Sequence, residues 1–521
     1  MSVIRHDPAD RAEPKPPHLT ARLIDAGERF LAGKAEGTIV LSALVAFAVL
    51  WMLYDTASLA TADAHPDVSE ATDWAHEFAL GYKHPPMTAW LHILWFTVFP
   101  HRDWAAHLMT VTVIAAGLGI TWRLLRDHLE KNRALFGLAA LFVIPLYNVK
   151  AEILNANTVM VPFWSAALLF YLRARRGLSL FDAFFAGAFA SLAVLGKYWA
   201  LFLLVGMALA SVVGADTRRF WRSAAPYVMA AGAAIVLAPH LVWFAVERGG
   251  ANYAFLRDNV MATDSFATAL AKSGYYLFGT VAYAVVPLIF LAALRPRKAA
   301  LADIAWPLEA DRRQAWLLFV VPLVLPAMVN LAIPYRLTPD WTLPNWALLP
   351  IVLYASRFLS VDENAVVRAG LVALTATVLA VIASPFVAYE RLASDREHYR
   401  AHYRQAAELA QSMAAQPVEL LWGNTDVTAG MRFYLPQARL LTVNPLSAAG
   451  RAEISAHGLA VVCLREDAAC QQTAAAVARE GSRTASATFS RSFLGFSGQP
   501  MSFSVTVVPP NAPVSNGTGR S

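Results

Sequence analysis

The feature that most constrains the fold is a series of long apolar segments that recurs over residues 38–388 of this 521-residue chain. Hydrophobic residues make up 57% of the chain and charged residues 15%, whereas soluble domains average about 25% charged residues. A segment of roughly 17 to 25 apolar residues is long enough to cross a bilayer as a helix. The sequence therefore predicts a polytopic α-helical membrane protein.

Eleven membrane spans are predicted near residues 38–54, 104–122, 134–149, 156–172, 179–195, 198–214, 223–246, 273–294, 315–333, 345–356 and 367–388. Lys and Arg concentrate in alternate connections between them, and the positive-inside rule assigns these connections to the cytoplasm. The basic N-terminal tail, residues 1–37, is therefore predicted to be cytoplasmic. Alternation then places the loop 55–103, and everything after residue 388, on the outward side.

Residues 85–100 are apolar but short, and they begin with Pro85 and Pro86. Proline is well suited to the first turn of a helix, and a short apolar helix with Trp side chains suits the membrane interface. The segment is predicted to be an interfacial helix, because a full span here would reverse the sidedness of every later loop.

The composition changes after the last predicted span. A polar helix is expected near 397–414 and a second helix near 466–479, with strands at 418–422, 439–443, 459–464 and 501–508. Alternating strands and helices indicate a small α/β domain. We predict an outward-facing soluble domain over residues 389–509 and a disordered tail over residues 510–521.

Two cysteines occur, Cys463 and Cys470, and neither their number nor their spacing resembles a metal site. On the outward side they would meet an oxidising compartment, where a disulfide can form. The alternative is that Cys463 is simply a buried strand residue.

The outward loop 55–103 contains an unusual density of ionisable side chains: Asp67, Glu70, Asp73, Glu77, Lys83 and His84. Such a cluster beside a bilayer indicates chemistry or ligand binding at the water interface. A structural alternative is that Asp67 caps a helix, with Glu70 three residues later completing a capping box.

The order of residues in this loop resembles a known pattern. Asp67 precedes Gly81-Tyr82, and Lys83-His84-Pro-Pro follows. This is similar to the first outward loop of the GT-C membrane glycosyltransferases, in the group containing the protein O-mannosyltransferases and the lipid A aminoarabinose transferases. The resemblance places Asp67 on the catalytic Asp of that family. The Glu that usually follows is replaced by Val68, and Glu70 is the candidate substitute.

Further landmarks of the family have counterparts here in the same order: Asn155–Trp164, Leu195–Tyr198, Pro239–Trp243 and Asn345-Trp346. An Asp usually stands where Asn157 stands in this chain. The resemblance extends over roughly residues 35–390, and the C-terminal domain resembles no family that we can name.

The resemblance implies a membrane glycosyltransferase of the inner (plasma) membrane. Its donor would be a polyprenyl-phosphate-linked sugar and its acceptor an envelope lipid such as a lipid A or other saccharide lipid, or a protein, on the periplasmic side. Asp67 would act as the base or orient the acceptor in a single inverting displacement.

Transfer of this kind also needs cations that hold the lipid phosphate as it leaves. The outward candidates for binding the substrate and its phosphate are Lys83, His84, Asn157, Lys197, Tyr198, Arg257 and Arg336. Arg suits bidentate phosphate contacts, whereas Lys acts as a point charge.

The distribution of charges and histidines bears on three other possible ligands: nucleic acid, a cofactor and a metal ion. The net charge of +6 does not predict nucleic-acid binding, because the basic residues fall between apolar segments rather than on one face. No cofactor is implied, and the outward histidines are too scattered to indicate a metal site, although a divalent metal is an open alternative.

Two other function classes are kept open. A transporter or flippase of a lipid-linked sugar would favour inverted repeats and ionisable residues at mid-membrane, and no repeat is evident. The C-terminal domain would also suit a sensor or an assembly scaffold.

Overall fold

The computed structural model describes residues 19–75, 78–214, 216–246, 250, 254, 256–394 and 402–511. Residues 512–521 of the predicted disordered tail and the start of the predicted polar helix lie outside these residues. In chain order, the α-helices of the part that corresponds to the membrane domain are α1 (Leu19–Gly33), α2 (Glu36–Ser58), α3 (Pro66–Ala75), α4 (Met87–Phe96), α5 (Asp103–Arg126), α6 (Lys131–Phe142), α7 (Ala156–Gly177), α8 (Leu180–Gly196), α9 (Leu201–Ser211), α10 (Thr217–Trp221), α11 (Ala225–Val246), α12 (Phe266–Tyr283), α13 (Val285–Ala293), α14 (Lys298–Ala305), α15 (Ala310–Ala332), α16 (Leu349–Tyr354) and α17 (Glu363–Ala393).

Five of the described helices, α2, α5, α11, α15 and α17, are long and apolar enough to cross a membrane, and the bent pair α12–α13 would make a sixth. Every predicted span coincides with a helical segment, but several are short. The helix α6 has 12 residues, and the predicted span 345–356 consists of the end of a 3₁₀ segment and the short helix α16. The fold class is confirmed, and the count of eleven spans stays a prediction.

Close helix crossings are made by small residues. A Cβ atom on Gly187 of α8 would lie 1.9 Å from the carbonyl oxygen of Met229, and one on Gly232 of α11 would lie 2.3 Å from that of Phe184. Glycine is therefore required at both positions, because it lets the two backbones touch. This contact places α11 against α8, which in turn packs along α7.

The segment 85–100 forms the helix α4, as its proline start predicts. Its tryptophans are held by hydrogen bonds to nearby carbonyl groups: Trp90 donates to Ala79 at 3.0 Å and Trp95 donates to Ala105 at 2.9 Å. These bonds attach α4 to the rest of the loop 55–103 and to the first turn of α5.

The C-terminal part forms a five-stranded sheet with helices on both faces. Its elements are α18 (Tyr403–Met413), β1 (Leu420–Gly423), α19 (Thr425–Met431), β2 (Arg439–Leu440), α20 (Ala448–His457), β3 (Leu459–Leu464), α21 (Ala468–Val477), β4 (Arg483–Phe489), β5 (Ser492–Phe493), β6 (Phe496–Ser497) and β7 (Met501–Val508). The strand order is β2-β1-β3-β7-β4. The β1 strand is parallel to β2 and β3, and β7 is antiparallel to β3 and β4.

The sequence predicts β3 and β7 with their observed bounds, and it overextends β2. It does not predict β4, whose sequence Arg-Thr-Ala-Ser-Ala-Thr-Phe is small and polar, because strand formation there depends on pairing with β7 rather than on intrinsic preference. Cys463 is buried in β3 and forms a disulfide with Cys470, so both interpretations of Cys463 hold together.

Charged side chains join the C-terminal domain and the end of α17 to the loop 55–103 and to the connection before α7. We call this set the domain junction. Its contacts are the ion pairs Arg391–Glu152 at 2.7 Å, Arg491–Asp63 at 2.6 Å and Arg404–Asp103 at 3.1 Å, together with the hydrogen bonds of the Tyr434 hydroxyl. Most of these side chains are buried or half-buried, so the junction excludes water from paired charges.

Candidate active site

A cavity of about 530 Å³ lies between the loop 55–103, the start of α7, the turn after α8, and the segment around Tyr335. Eight of the nine predicted site residues line it: Asp67, Glu70, Lys83, His84, Asn157, Lys197, Tyr198 and Arg336. Because these residues come from four separate parts of the chain, only the tertiary fold brings them together.

Asp67 lies in the first turn of α3, and its carboxylate is 44% exposed to the cavity. The backbone N–H groups of Val68 and Ser69 donate to the carbonyl oxygen of His65, so His65 is the residue that precedes and caps the helix. Glu70 accepts a hydrogen bond from Lys83 instead of closing a capping box. The capping alternative is therefore wrong, and the Asp67 carboxylate is available for another role.

Asn155 holds Asp67 and the start of α7 in place. Its side-chain oxygen accepts hydrogen bonds from the N–H groups of Asn157 and Thr158, while the Thr158 hydroxyl accepts from the Asn155 N–H, which is a capping box. Its side-chain amide donates to the Asp67 carboxylate at 3.4 Å. One residue therefore fixes the base candidate relative to a helix N-terminus, where the helix dipole favours an anion.

Lys197 lies at the end of α8 and projects into the cavity. Its ammonium donates to the Asn157 side-chain oxygen at 2.8 Å and stands 3.9 Å above the ring of Trp341. Burial lowers the pKa of Lys197 to about 7; the nearby Asp67 opposes this shift and Arg336 adds to it. A second negative group at this position, such as a phosphate, would restore the ordinary pKa.

Glu70, Lys83 and His84 form one wall. The Lys83 ammonium donates to the Glu70 carboxylate at 2.7 Å. Burial raises the pKa of Glu70, and Lys83 partly reverses that shift. Burial, with the charges of Lys83 and Lys197, lowers the pKa of His84 to about 3. His84 is therefore neutral at physiological pH and can offer a hydrogen bond to a phosphate, but not a positive charge.

Tyr198 belongs to a chain of hydrogen bonds that supports the loop. The Nδ1 atom of His240 donates to the carbonyl oxygen of Leu80 at 2.6 Å, so its Nε2 atom accepts from the Tyr198 hydroxyl at 2.8 Å. A Cβ atom on Gly81 would lie 2.1 Å from the ring of Trp243. This contact explains the Gly-Tyr pair, because only glycine lets the loop approach α11 so closely.

The two arginine candidates have different environments. Arg336 lines the cavity, and its backbone N–H donates to the carbonyl oxygen of Val260 at 2.7 Å. The exposed Arg257 instead pairs with its neighbour Asp258 at 2.6 Å and is not among the cavity residues. The structure thus brings together every predicted site residue except Arg257.

The rest of the cavity wall is apolar and includes Phe202, Phe244, Val329 and Ile333. Such a surface suits a hydrocarbon chain better than a sugar. Among the described residues, no group of three or more His, Cys, Asp or Glu side chains is arranged to hold a metal ion.

Two contributors were missed by reasoning from the sequence. Asn155 belongs to a motif in which only Asn157 was assigned a role, although its spacing to Thr158 is a readable capping signal. Trp341 carries no local signal, because its contact with Lys197 joins residues far apart in the chain.

These features can be compared with known proteins. Residues 83–243 match the family model described as dolichyl-phosphate-mannose-protein mannosyltransferase. A solved structure of ArnT from Cupriavidus metallidurans, bound to undecaprenyl phosphate, superposes with a TM-score of 0.57 at 15% identity, covering 90% of this chain and 98% of that one. This chain has the same fold as ArnT. No curated protein matches this sequence.

The family-model match and the shared fold with ArnT confirm the resemblance seen in the sequence. The family model begins at Lys83 and therefore excludes Asp67. The assignment of Asp67 rests on the loop pattern and on its position in the cavity.

Proposed function

We propose that this protein transfers a sugar from a polyprenyl-phosphate-linked donor to an envelope acceptor, on the side of the membrane that holds the C-terminal domain. The observation that carries the proposal is the cavity itself. A half-exposed carboxylate, Asp67, shares it with the cations Lys83, Lys197 and Arg336 and with an apolar wall.

The donor phosphate is expected to bind between Lys197 and Arg336. Lys197 is held by an amide and a ring rather than by a carboxylate, so its charge can be used by a ligand. An arginine offers two parallel hydrogen bonds to phosphate oxygens. The apolar wall next to these cations would take the first isoprenyl units. Undecaprenyl phosphate in ArnT is a lipid of this chemical class.

The reaction itself is a single displacement. The acceptor oxygen forms a bond to the anomeric carbon while the bond from that carbon to the phosphate oxygen breaks, which inverts the configuration. Asp67 orients the acceptor hydroxyl and takes its proton. The electrons of the broken bond remain on the polyprenyl phosphate, and the cations stabilise the growing negative charge.

The acceptor is expected to be a lipid, such as a lipid A-type saccharide, or a protein of the cell envelope. The bacterial inner membrane, with the C-terminal domain in the periplasm, is the location that fits best. The Cys463–Cys470 disulfide supports this orientation, because disulfides persist in oxidising compartments.

The test is transfer from a radiolabelled polyprenyl-phosphate sugar to acceptors in a membrane extract, with the wild type and Asp67→Asn compared. Removal of a general base typically costs about 10²- to 10⁴-fold in rate. The matched control is Asp426→Asn, an exposed aspartate in the first turn of α19 that does not line the cavity. It should keep wild-type activity.

Equal transfer by Asp67→Asn and wild type would remove Asp67 from the chemistry. The transporter alternative needs a second measurement, on vesicles that contain the purified protein. A flippase would move the labelled donor between the leaflets of a vesicle. Neither the wild type nor Asp67→Asn would then form a glycosylated product.

A further inference from the structure

A small hairpin of the C-terminal domain has no explanation within that domain. It consists of β5 and β6, which pair only with each other, apart from the five-stranded sheet. Its two-residue turn is Leu494-Gly495. Leu494 is 75% exposed and Phe496 is 55% exposed, so the hairpin presents large apolar side chains at its tip and edge.

The turn makes this leucine doubly unfavourable in water. Leu494 has a φ of 49° and Gly495 a φ of 84°, which matches a turn that requires positive φ at both residues and prefers Asn-Gly. A non-glycine residue rarely adopts positive φ, and Asn does so most readily. The positive φ destabilises the backbone whatever surrounds the side chain, and exposure of the leucine to water adds a hydration cost that an apolar environment would remove.

The contacts of the hairpin show which part of the molecule lies beside it. The Phe496 ring contacts the ring of Tyr389 in α17 with centroids 4.8 Å apart. At Gly498, a Cβ atom would lie 2.7 Å from the Leu392 side chain. The hairpin thus lies against the last turns of a helix that is long and apolar enough to cross a membrane.

The exposed face of α17 continues toward the hairpin. Ile382, Phe386 and Tyr389 are exposed by 65%, 77% and 43%, and their spacing of four and three residues puts them on one stripe. An apolar stripe that ends in a tyrosine is typical of a lipid-facing surface that reaches the interface. The stripe runs toward the C-terminal end of α17, and the hairpin residues Leu494 and Phe496 lie beside that end.

We infer that the β5–β6 hairpin inserts its tip into the lipid bilayer, in the leaflet on the side of the C-terminal domain. The occupant of this surface is the acyl-chain and headgroup boundary of that leaflet, where apolar and aromatic side chains anchor proteins. At the base of the hairpin, Arg491 pairs with Asp63 at 2.6 Å. Membrane contact at the tip is therefore connected to the loop that carries Asp67. The inference does not depend on the proposed reaction.

The test uses the full-length protein in lipid nanodiscs. Both native cysteines are consumed by the disulfide, so Leu494→Cys provides a single reactive thiol for a bimane fluorophore. Phe496→Cys is a second tip position. The matched control is Gln472→Cys, an exposed position on α21, which packs on the sheet strands β3 and β7.

Lipids with a nitroxide near the headgroup should quench bimane at positions 494 and 496 several-fold more than at position 472. Iodide in the water should quench position 472 more than the tip. Equal quenching at tip and control by both agents would overturn the inference. Protection of the tip from both quenchers would also overturn it, because the surface would then be covered by protein.

Discussion

The cavity and the domain junction contain similar numbers of charged side chains and use them in opposite ways. At the junction, arginines meet carboxylates directly, as in the pair Arg391–Glu152, whose side chains are 10% and 14% exposed. In the cavity, Lys83 also pairs with Glu70, but Lys197 is held by an amide and a ring. Within the described part of the chain, neither Lys197 nor Arg336 has a carboxylate at ion-pair distance.

The difference follows from what each region has to bind. A buried ion pair that is fully hydrogen-bonded has no capacity left for a ligand, and breaking it leaves an uncompensated charge. A cation held by neutral groups keeps its charge for an anion that arrives later. Incomplete pairing of its cations therefore marks the cavity as a binding site. Complete pairing of its charges marks the junction as a structural element.

The largest expected effect is on the junction. Asp63→Asn leaves the Arg491 guanidinium buried without its carboxylate, and breaking a buried pair in this way costs about 3–5 kcal/mol. We expect a strongly lowered melting temperature in detergent, measured by differential scanning fluorimetry. The double variant Asp63→Asn/Arg491→Gln should recover part of the loss. A melting temperature equal to wild type would show that the junction is not a structural element.

The next effect is on the cavity, and it should appear in activity rather than stability. Lys197→Met removes the cation but keeps the length of the side chain. Loss of one stabilising group for a developing charge costs about 10²- to 10³-fold in turnover. The melting temperature should not fall, because a buried ammonium is itself costly. Lys272→Met is the control, since Lys272 pairs with Asp264 and does not line the cavity. If Lys197→Met lowered the melting temperature without lowering turnover, Lys197 would be a structural residue rather than a site residue.

A smaller effect should connect the two regions. The Tyr434 hydroxyl accepts from the N–H of Ala64 and donates to Asp103, both at 2.7 Å. Tyr434→Phe removes both hydrogen bonds and leaves the Ala64 N–H without its acceptor, although Arg404 still pairs with Asp103. The free energy of unfolding should fall by about 1–3 kcal/mol. Because Ala64 lies two residues before α3, kcat should also fall while the Kd for polyprenyl phosphate stays unchanged. A change in Kd without a change in kcat would show that the junction does not control the position of Asp67.

The smallest effect is a dependence on pH. With a pKa of about 7, Lys197 in the empty cavity loses its charge as the pH rises above neutrality. Affinity for polyprenyl phosphate should then decrease by up to about tenfold per pH unit above this pKa. Lys197→Arg should abolish the decrease, because arginine stays protonated. An identical profile for Lys197→Arg would assign the titration to another group.

Much of this architecture could be predicted from local patterns. The predicted apolar segments overlap the five described helices that are long and apolar enough to cross a membrane, and the proline pair predicted the start of α4. The loop motif predicted Asp67 and Lys83, and the Leu195–Tyr198 landmark predicted Lys197, because the types and order of these residues carry chemical meaning. All three line the cavity. Arg257 was chosen by sidedness alone, which cannot distinguish a cavity arginine from an exposed one beside its own carboxylate.

What the sequence by itself determined is therefore the membrane class, the helix positions and the chemical character of the loop 55–103. The tertiary structure decided which charges are paired. The contacts Asp67–Asn155, Lys197–Trp341 and Arg491–Asp63 join residues separated by 88, more than 100 and more than 400 positions. Such contacts leave no periodic or spacing signal, because electrostatic pairing depends on distance in space and burial, and both are set only when the helices pack.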